Sequence, residues 1–173
     1  MIKYLINLFF MVIPSLLYSQ NMDSRGYIVK LGQMAPNFEF ELLNGELVNN
    51  QSLLGKTVVI QFTASWCSVC REEMPQLELE VWQRFKDNDF LMIGVGFMED
   101  VSTTKDFAER MSVTYPMASD LSGNLFSLFA GPKQGVTRNI LLNDKGEIIF
   151  LTRLYERDEF EEMISVIEHE LKK

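Results

Sequence analysis

Residues Thr57 to Pro75 have the sequence TVVIQFTASWCSVCREEMP, and the fold follows from this stretch. Its first part, Thr57–Phe62, is a run of β-branched and apolar residues, which predicts a buried central strand. From Arg71 to Lys86 the apolar side chains recur three or four residues apart, which predicts a helix. Pro75 falls inside that helix and is expected to kink it. A pair of cysteines lies where the strand gives way to the helix.

Cys67 and Cys70 therefore stand at a predicted helix start, directly after a buried strand. A helix N-terminus carries partial positive charge and free N–H groups, which stabilise a thiolate and lower its pKa. The thiolate is the reactive form, and a second cysteine three residues later can resolve a mixed disulfide on the first. The spacing and its setting favour a redox-active pair.

Two structural alternatives compete with redox chemistry at this pair. A plain disulfide here would close a very short loop, which contributes only about 2 kcal/mol in the chain-entropy view, less than a long loop would. A zinc site generally takes four ligands, whereas the chain has two cysteines and one histidine, His169, in a charged C-terminal segment. We therefore expect no metal and no bound cofactor.

Strands and helices alternate along the rest of the chain. Alternating polarity in Phe38–Leu42, a turn at Asn44-Gly45 and a returning strand at Glu46–Val48 predict a β-hairpin before the core strand. The later predicted elements are a strand at Phe90–Phe97, a helix at Ser102–Met111, a short helix at Asn124–Phe129, strands at Asn139–Leu142 and Glu147–Leu151, and a closing helix at Asp158–Lys172. This order predicts an α/β fold in which a central mixed β-sheet is flanked by helices.

The first twenty residues have the layout of a secretory signal peptide. Lys3 supplies a positive charge, an apolar stretch runs from Tyr4 to Leu17, and Ser19 or Gln20 offers a cleavage position. The alternative is an uncleaved anchor that retains the protein at a membrane, but the stretch is shorter than the roughly 20 residues of a spanning helix. We expect residues 1–20 to be removed and residues 21–173 to form one domain, in the periplasm or another exported location.

The composition fits a globular domain, with 47% hydrophobic and 23% charged residues. The formal net charge of −8 argues against general nucleic-acid binding, which needs a basic surface. An exported location is also oxidising, so two cysteines can form a stable disulfide there.

The segment from Val58 to Pro75 resembles the thioredoxin superfamily, and within it the exported TlpA/ResA-like branch. The resemblance rests on the WCxxC core at residues 66–70, on a glutamate three residues after the second cysteine and on a proline five residues after it. It extends more weakly from about Gly32 to Gly146, including the hairpin before the core strand. The resemblance implies a thioredoxin-like fold with an N-terminal β-hairpin for residues 21–173.

The same resemblance implies a role for each residue of the site. Cys67, nearer the helix tip and more exposed, would attack a substrate disulfide, and Cys70 would resolve the product. Glu73 would move protons as the disulfide is reduced, the alternative being a solvated helix residue. Trp66 would shield the pair and offer the substrate an apolar surface, the alternative being simple packing.

One departure from the family pattern concerns the loop that faces the cysteines. The family has a cis-proline there whose backbone pairs with substrate, and alignment of residues 135–142 puts Thr137 at that position. Val136 and Thr137 are therefore the other expected substrate-binding residues. Because a cis bond before a non-proline residue costs about 3–4 kcal/mol, we expect the Val136–Thr137 bond to be trans.

These observations predict an enzyme, a protein thiol–disulfide oxidoreductase that exchanges its cysteine pair with thiols or disulfides of exported proteins. The resemblance favours the reducing direction, with electrons from a membrane donor. The alternative is a non-catalytic thioredoxin-fold binding or chaperone module whose disulfide is structural. Thr63, four residues before Cys67, suggests a third alternative, a peroxidase of the peroxiredoxin kind. The chain lacks the upstream proline of that family, which argues against this alternative.

Overall fold

The computed structural model describes residues 22–131 and 133–173 of the chain. The predicted signal peptide, residues 1–20, lies outside these described residues. Within them, no helix combines the length and the apolar character needed to cross a bilayer.

The described residues form seven strands and four α-helices. The strands are β1 (Glu39–Glu41), β2 (Leu47–Asn49), β3 (Thr57–Thr63), β4 (Phe90–Phe97), β5 (Met117–Asp120), β6 (Arg138–Leu142) and β7 (Ile148–Arg153). The α-helices are α1 (Ser68–Gln76), α2 (Gln83–Phe85), α3 (Val101–Arg110) and α4 (Arg157–Glu170). A π-helical segment, Leu77–Trp82, joins α1 to α2, and short 3-10 helices lie at Asn50–Leu53 and Phe126–Leu128.

The main sheet has five strands in the order β5-β4-β3-β6-β7. Strand β3 is central and runs parallel to β4 and antiparallel to β6. Strand β5 extends the parallel side and β7 the antiparallel side. The hairpin of β1 and β2 forms a separate two-stranded sheet in which Phe40 pairs with Val48. The carboxyl ends of β3, β4 and β5 therefore share one edge of the sheet, where β6 begins and β7 ends.

The core forms around β3, in which every residue from Thr57 to Thr63 is buried. The strand is central, so its side chains have neighbours on both sides, as its nearly continuous apolar sequence predicted. The helical positions predicted to face inward are also buried, namely Met74, Leu77, Val81 and Phe85. Each such side chain contributes about 1.5–3 kcal/mol relative to an exposed position. This packing fixes β3 and α1 against each other and so fixes the turn between them.

Some features of the fold differ from the sequence-based expectations. Strand β5 was not predicted, because its four residues, MASD, show no clear alternation and depend on parallel pairing with β4. Helix α3 begins at Val101 and not at Ser102, because Asp100 caps it: its side chain accepts a hydrogen bond from the N–H of Thr103 at 2.7 Å. The predicted single helix after the cysteines contains the π-helical segment, which periodicity alone does not distinguish from an α-helix.

Candidate active site

The two cysteines lie where the central strand passes into α1. Cys67 is the N-cap residue of α1, and its Sγ atom accepts a hydrogen bond from the N–H of Cys70 at 3.1 Å. The two residues are joined by a disulfide, with their Cα atoms 5.3 Å apart. The sulfur of Cys67 thus lies on the free N–H groups at the helix start, where negative charge is favoured.

The cysteines differ in exposure, and their neighbour Trp66 projects outward. Cys67 is 7% exposed, whereas Cys70 is fully buried. Trp66 is 60% exposed, so the alternative that it serves as a packed core residue is wrong. Trp66 and the edge of Cys67 are therefore accessible from outside, whereas Cys70 is not.

Glu73 lies one turn after Cys70 and is only 1% exposed. Its carboxylate accepts three hydrogen bonds: from Gln61 Nε2 at 3.0 Å, from Thr137 Oγ1 at 2.5 Å and from Asn139 Nδ2 at 2.7 Å. The alternative of a solvated helix residue is therefore wrong. A buried carboxyl group with three donors is instead part of the interior behind the disulfide.

Burial raises the pKa of the Glu73 carboxyl above its usual value, because the interior disfavours the charged form. The hydrogen bonds from Thr137, Gln61 and Asn139 act in the opposite direction, in that order of size. The net result is a carboxyl group that holds its proton to higher pH than an exposed glutamate does. Such a group can accept and return a proton during thiol chemistry.

The polar network around Glu73 includes residues that the sequence analysis missed. Gln61 on β3 and Asn139 on β6 are register partners. The side-chain oxygen of Gln61 accepts a hydrogen bond from the hydroxyl of Tyr115 at 2.9 Å, and Asn139 Nδ2 donates to Thr152 Oγ1 at 2.9 Å. The signal was available, since Gln61 and Asn139 are amide residues within otherwise mostly apolar strands, and buried amides need partners.

The loop before β6 brings Thr137 onto α1. Val136 is 6% exposed and Thr137 is fully buried. The Val136–Thr137 peptide bond is cis, so the expectation of a trans bond is wrong. Two hydrogen bonds hold Thr137: its hydroxyl donates to Glu73, and its carbonyl accepts from the N–H of Leu154 at 3.2 Å.

Among the described residues, no group of three or more His, Cys, Asp and Glu side chains is placed to hold a metal ion. His169 lies exposed in the last turn of α4, where a basic residue suits the helix dipole. It is on a different element from the disulfide and does not contribute to the site.

Comparison with known proteins identifies relatives across most of the chain. The Redoxin family model matches residues 30–168. The thiol-disulfide oxidoreductase ResA of Halalkalibacterium halodurans is 29% identical over 122 residues, which cover 70% of this chain and 68% of that protein. The thioredoxin-like protein YneN of Bacillus subtilis is 33% identical over 98 residues, covering 55% of this chain and 56% of YneN.

Solved structures show the same architecture. The solution structure of a candidate protein disulfide isomerase from Bacteroides thetaiotaomicron is 43% identical with a TM-score of 0.82, covering 86% of this chain and 94% of that one. A DsbE-type thiol:disulfide interchange protein from Chlorobium tepidum, 21% identical with a TM-score of 0.73, covers 83% of this chain and 99% of its own and supports the fold alone. These matches confirm the predicted thioredoxin-like fold. With a disulfide at the N-cap of α1, the chain thus belongs to the Redoxin family and is a ResA-like thiol–disulfide oxidoreductase of the thioredoxin superfamily.

Proposed function

We propose that this protein exchanges its Cys67–Cys70 pair with exported protein substrates and acts on them as a reductant. The observation that carries the proposal is the position of Cys67 Sγ at the N-cap of α1, 3.1 Å from the N–H of Cys70. In the reduced protein this N–H and the helix dipole favour the thiolate, which is the attacking species. The reducing direction follows the resemblance to the TlpA/ResA-like branch.

The exchange takes place in two steps. The Cys67 thiolate attacks one sulfur of a substrate disulfide, the substrate S–S bond breaks, and the other substrate sulfur leaves as a thiolate that takes up a proton. Cys70, once deprotonated, then attacks Cys67 Sγ, which forms the Cys67–Cys70 disulfide and releases the second substrate thiol. Two electrons pass to the substrate. Renewed activity requires a dithiol donor, which we place at the membrane.

Glu73 is proposed as the group that accepts the proton of Cys70 in the second step. It lies one turn further along α1, and burial keeps its pKa above the usual value. Its hydrogen bond to Thr137 connects it to the loop before β6, which the family resemblance places opposite the cysteines. A carboxyl group held in this way can take the proton as Cys70 becomes nucleophilic and return it when the pair is reduced again.

Trp66 and the Val136–Thr137 segment are proposed to contact the substrate. Trp66 offers a large aromatic surface beside Cys67 that is already exposed. The backbone around Val136 would pair with an extended substrate segment, as the family resemblance implies. Exchange with a protein disulfide should therefore depend on these residues more than exchange with a small dithiol does.

Export is also part of the proposal. The signal-peptide layout of residues 1–20 supports cleavage and delivery to the periplasm or another exported location. Fractionation of cells that express the full chain, followed by mass determination of the N-terminus, tests this point. Recovery of the uncleaved chain in the soluble cytosolic fraction would contradict it.

The proposed chemistry is tested by thiol labelling of the 21–173 protein across a series of redox buffers, together with reduction of a protein disulfide. We expect a two-electron transition well below the potential of an oxidant such as DsbA, and substrate reduction that Cys67→Ser abolishes. A high potential would contradict the reducing direction. A pair that does not titrate, together with partner binding that Cys67→Ser leaves intact, would favour the non-catalytic binding module.

A further inference from the structure

A second buried carboxylate, Glu99, lies at the same edge of the sheet as the disulfide. Glu99 follows β4 and is 6% exposed. Its Oε1 atom accepts two hydrogen bonds from one residue, from the N–H of Ser65 at 3.0 Å and from the Ser65 hydroxyl at 2.5 Å. Ser65 stands two residues before Cys67, in the turn that links β3 to α1. The chemistry described above makes no use of this carboxylate.

Residues 64–67 form the turn, and several hydrogen bonds hold it. The carbonyl of Ser65 accepts a hydrogen bond from Arg71 Nη1 at 2.8 Å, and the N–H of Cys67 donates to the carbonyl of Ala64 at 3.1 Å. Glu99 accepts from both donors of Ser65. These bonds hold the turn in the arrangement in which Cys67 is the N-cap of α1.

The backbone of Glu99 is held by a hydrogen bond, whereas the burial of its side chain is unfavourable. Its carbonyl accepts a hydrogen bond from the hydroxyl of Ser119 on β5 at 2.5 Å, which ties the loop after β4 to the neighbouring strand. Its Oε2 atom is buried and has no hydrogen-bond partner among the described residues. A buried polar atom without a partner is unfavourable, so a carboxylate retained there calls for a role other than stability.

We propose that Glu99 is a positioning residue: by binding both donors of Ser65 it fixes the turn that holds Cys67 Sγ against the N-terminus of α1. Two directional hydrogen bonds to one residue fix both its backbone and its side chain, so Glu99 restricts the turn more than a mobile water molecule would. The inference rests on the proposed function only for its effect on turnover. The position of Cys67 can be measured without any substrate.

The chain provides a matched control in Glu78. Glu78 lies in the π-helical segment, about two turns beyond Cys70, and is 7% exposed. Its carboxylate also accepts the N–H and the hydroxyl of one loop residue, Thr114, each at 2.7 Å. Each glutamate thus accepts the N–H and the hydroxyl of one residue in a similarly buried setting, although Glu78 uses both of its oxygens and also accepts from Gln83 Nε2 at 2.7 Å. Only Glu99 makes these contacts to the turn that carries Cys67.

The experiment measures alkylation of Cys67 in the reduced 21–173 protein as a function of pH, with the modified peptide identified by mass. We expect Glu99→Ala to move the midpoint to higher pH and to slow alkylation at pH 7 by about threefold, because the sulfur loses part of its contact with the helix start. Glu99→Gln, whose amide oxygen can still accept both donors of Ser65, should match the wild type. Glu78→Ala should also leave the midpoint unchanged, even at equal loss of stability in urea.

Two results would overturn the proposal. One is a midpoint in Glu99→Ala no different from that in Glu78→Ala. The other is an equal shift in Glu99→Gln, because that variant keeps an acceptor for both donors of Ser65 and the shift would then not come from the loss of these hydrogen bonds. If Glu99→Ala does not fold, Ser65→Ala removes one of the two bonds, with Thr114→Val as its control. A smaller shift in the same direction supports positioning, and no shift refutes it. If the variants behave as expected in the alkylation experiment but the wild-type protein does not reduce a protein disulfide, only the proposed function is contradicted.

Discussion

The hydroxyl of Thr137 donates a hydrogen bond of 2.5 Å to Oε2 of Glu73, across a sequence separation of 64 residues. This bond joins the loop before β6 to α1, one turn behind the disulfide. A proline at position 137, as the family pattern has it, would offer no such donor. The loop proposed to contact the substrate and the proposed proton acceptor are therefore linked directly in this chain.

Removal of the Thr137 hydroxyl should lower the free energy of unfolding and raise the pKa of Glu73 further. Thr137→Val leaves the buried carboxyl with two donors instead of three, and a lost hydrogen bond to such a group costs about 1–3 kcal/mol. Thr137→Ser keeps the hydroxyl and is the matched control. Urea unfolding of the three proteins at pH 7 measures the difference. Equal stability of the Val and Ser variants would show that the bond contributes nothing.

Glu73 should also make stability depend on pH. Because burial raises its pKa above the usual 4.5, the folded protein binds more protons than the unfolded chain between pH 4.5 and the raised value. Stability contributed by Glu73 is thus fully present below about pH 4.5 and is lost as pH rises, by up to about 1.4 kcal/mol per pH unit. Glu73→Gln has no proton to lose, so its free energy of unfolding should fall less steeply. Parallel curves for the two proteins from pH 4 to 8 would contradict this.

Loss of the buried cysteine should stop the exchange after its first step, at the mixed disulfide. In Cys70→Ser the thiol of Cys67, the more exposed residue of the pair, can still attack a substrate disulfide, but nothing within the protein releases the product. A mixed disulfide should therefore accumulate, visible as a dithiothreitol-sensitive band in non-reducing electrophoresis. Cys67→Ser is the control and should trap little, since Cys70 is fully buried. Equal trapping by both variants would contradict the assigned order of attack.

Trp66 should matter for protein substrates and hardly at all for folding. At 60% exposure its side chain is largely outside the core, so Trp66→Ala should change stability by no more than about 0.5 kcal/mol. We expect KM for a protein disulfide to rise severalfold while the rate of reduction by dithiothreitol stays the same. Leu54→Ala, at 45% exposure and near the opposite end of β3, serves as the control. A similar rise in KM for both variants would point to a general surface effect.

The sequence was sufficient for the fold because its decisive signals are local. The β-branched run of β3, the cysteine spacing and the Asn44-Gly45 turn each determine structure over a few residues, and β1 and β2 pair as the hairpin pattern predicted. Strand β5 escaped prediction because it depends on pairing with β4, whose matched residues lie 23 positions earlier in the sequence, and such pairing leaves no local pattern.

The site was only partly predictable for the same reason. Cys67, Cys70 and Glu73 lie on one helix, so spacing alone brings them together. The donors to Glu73 come from β3, β6 and the loop before β6, which are distant from it in sequence. Such contacts form only after the sheet has assembled, so no local pattern could reveal them.

Because the cap of α1 is a sulfur atom, the reagent of the reaction is also a structural part of the helix it sits on. A neutral disulfide sulfur is a weak acceptor for the N–H of Cys70, whereas a thiolate is a strong one. Reduction at neutral pH should therefore tighten the first turn of α1 and oxidation should loosen it. The rate of amide hydrogen exchange at Cys70 would then report whether the cysteine pair is oxidised or reduced.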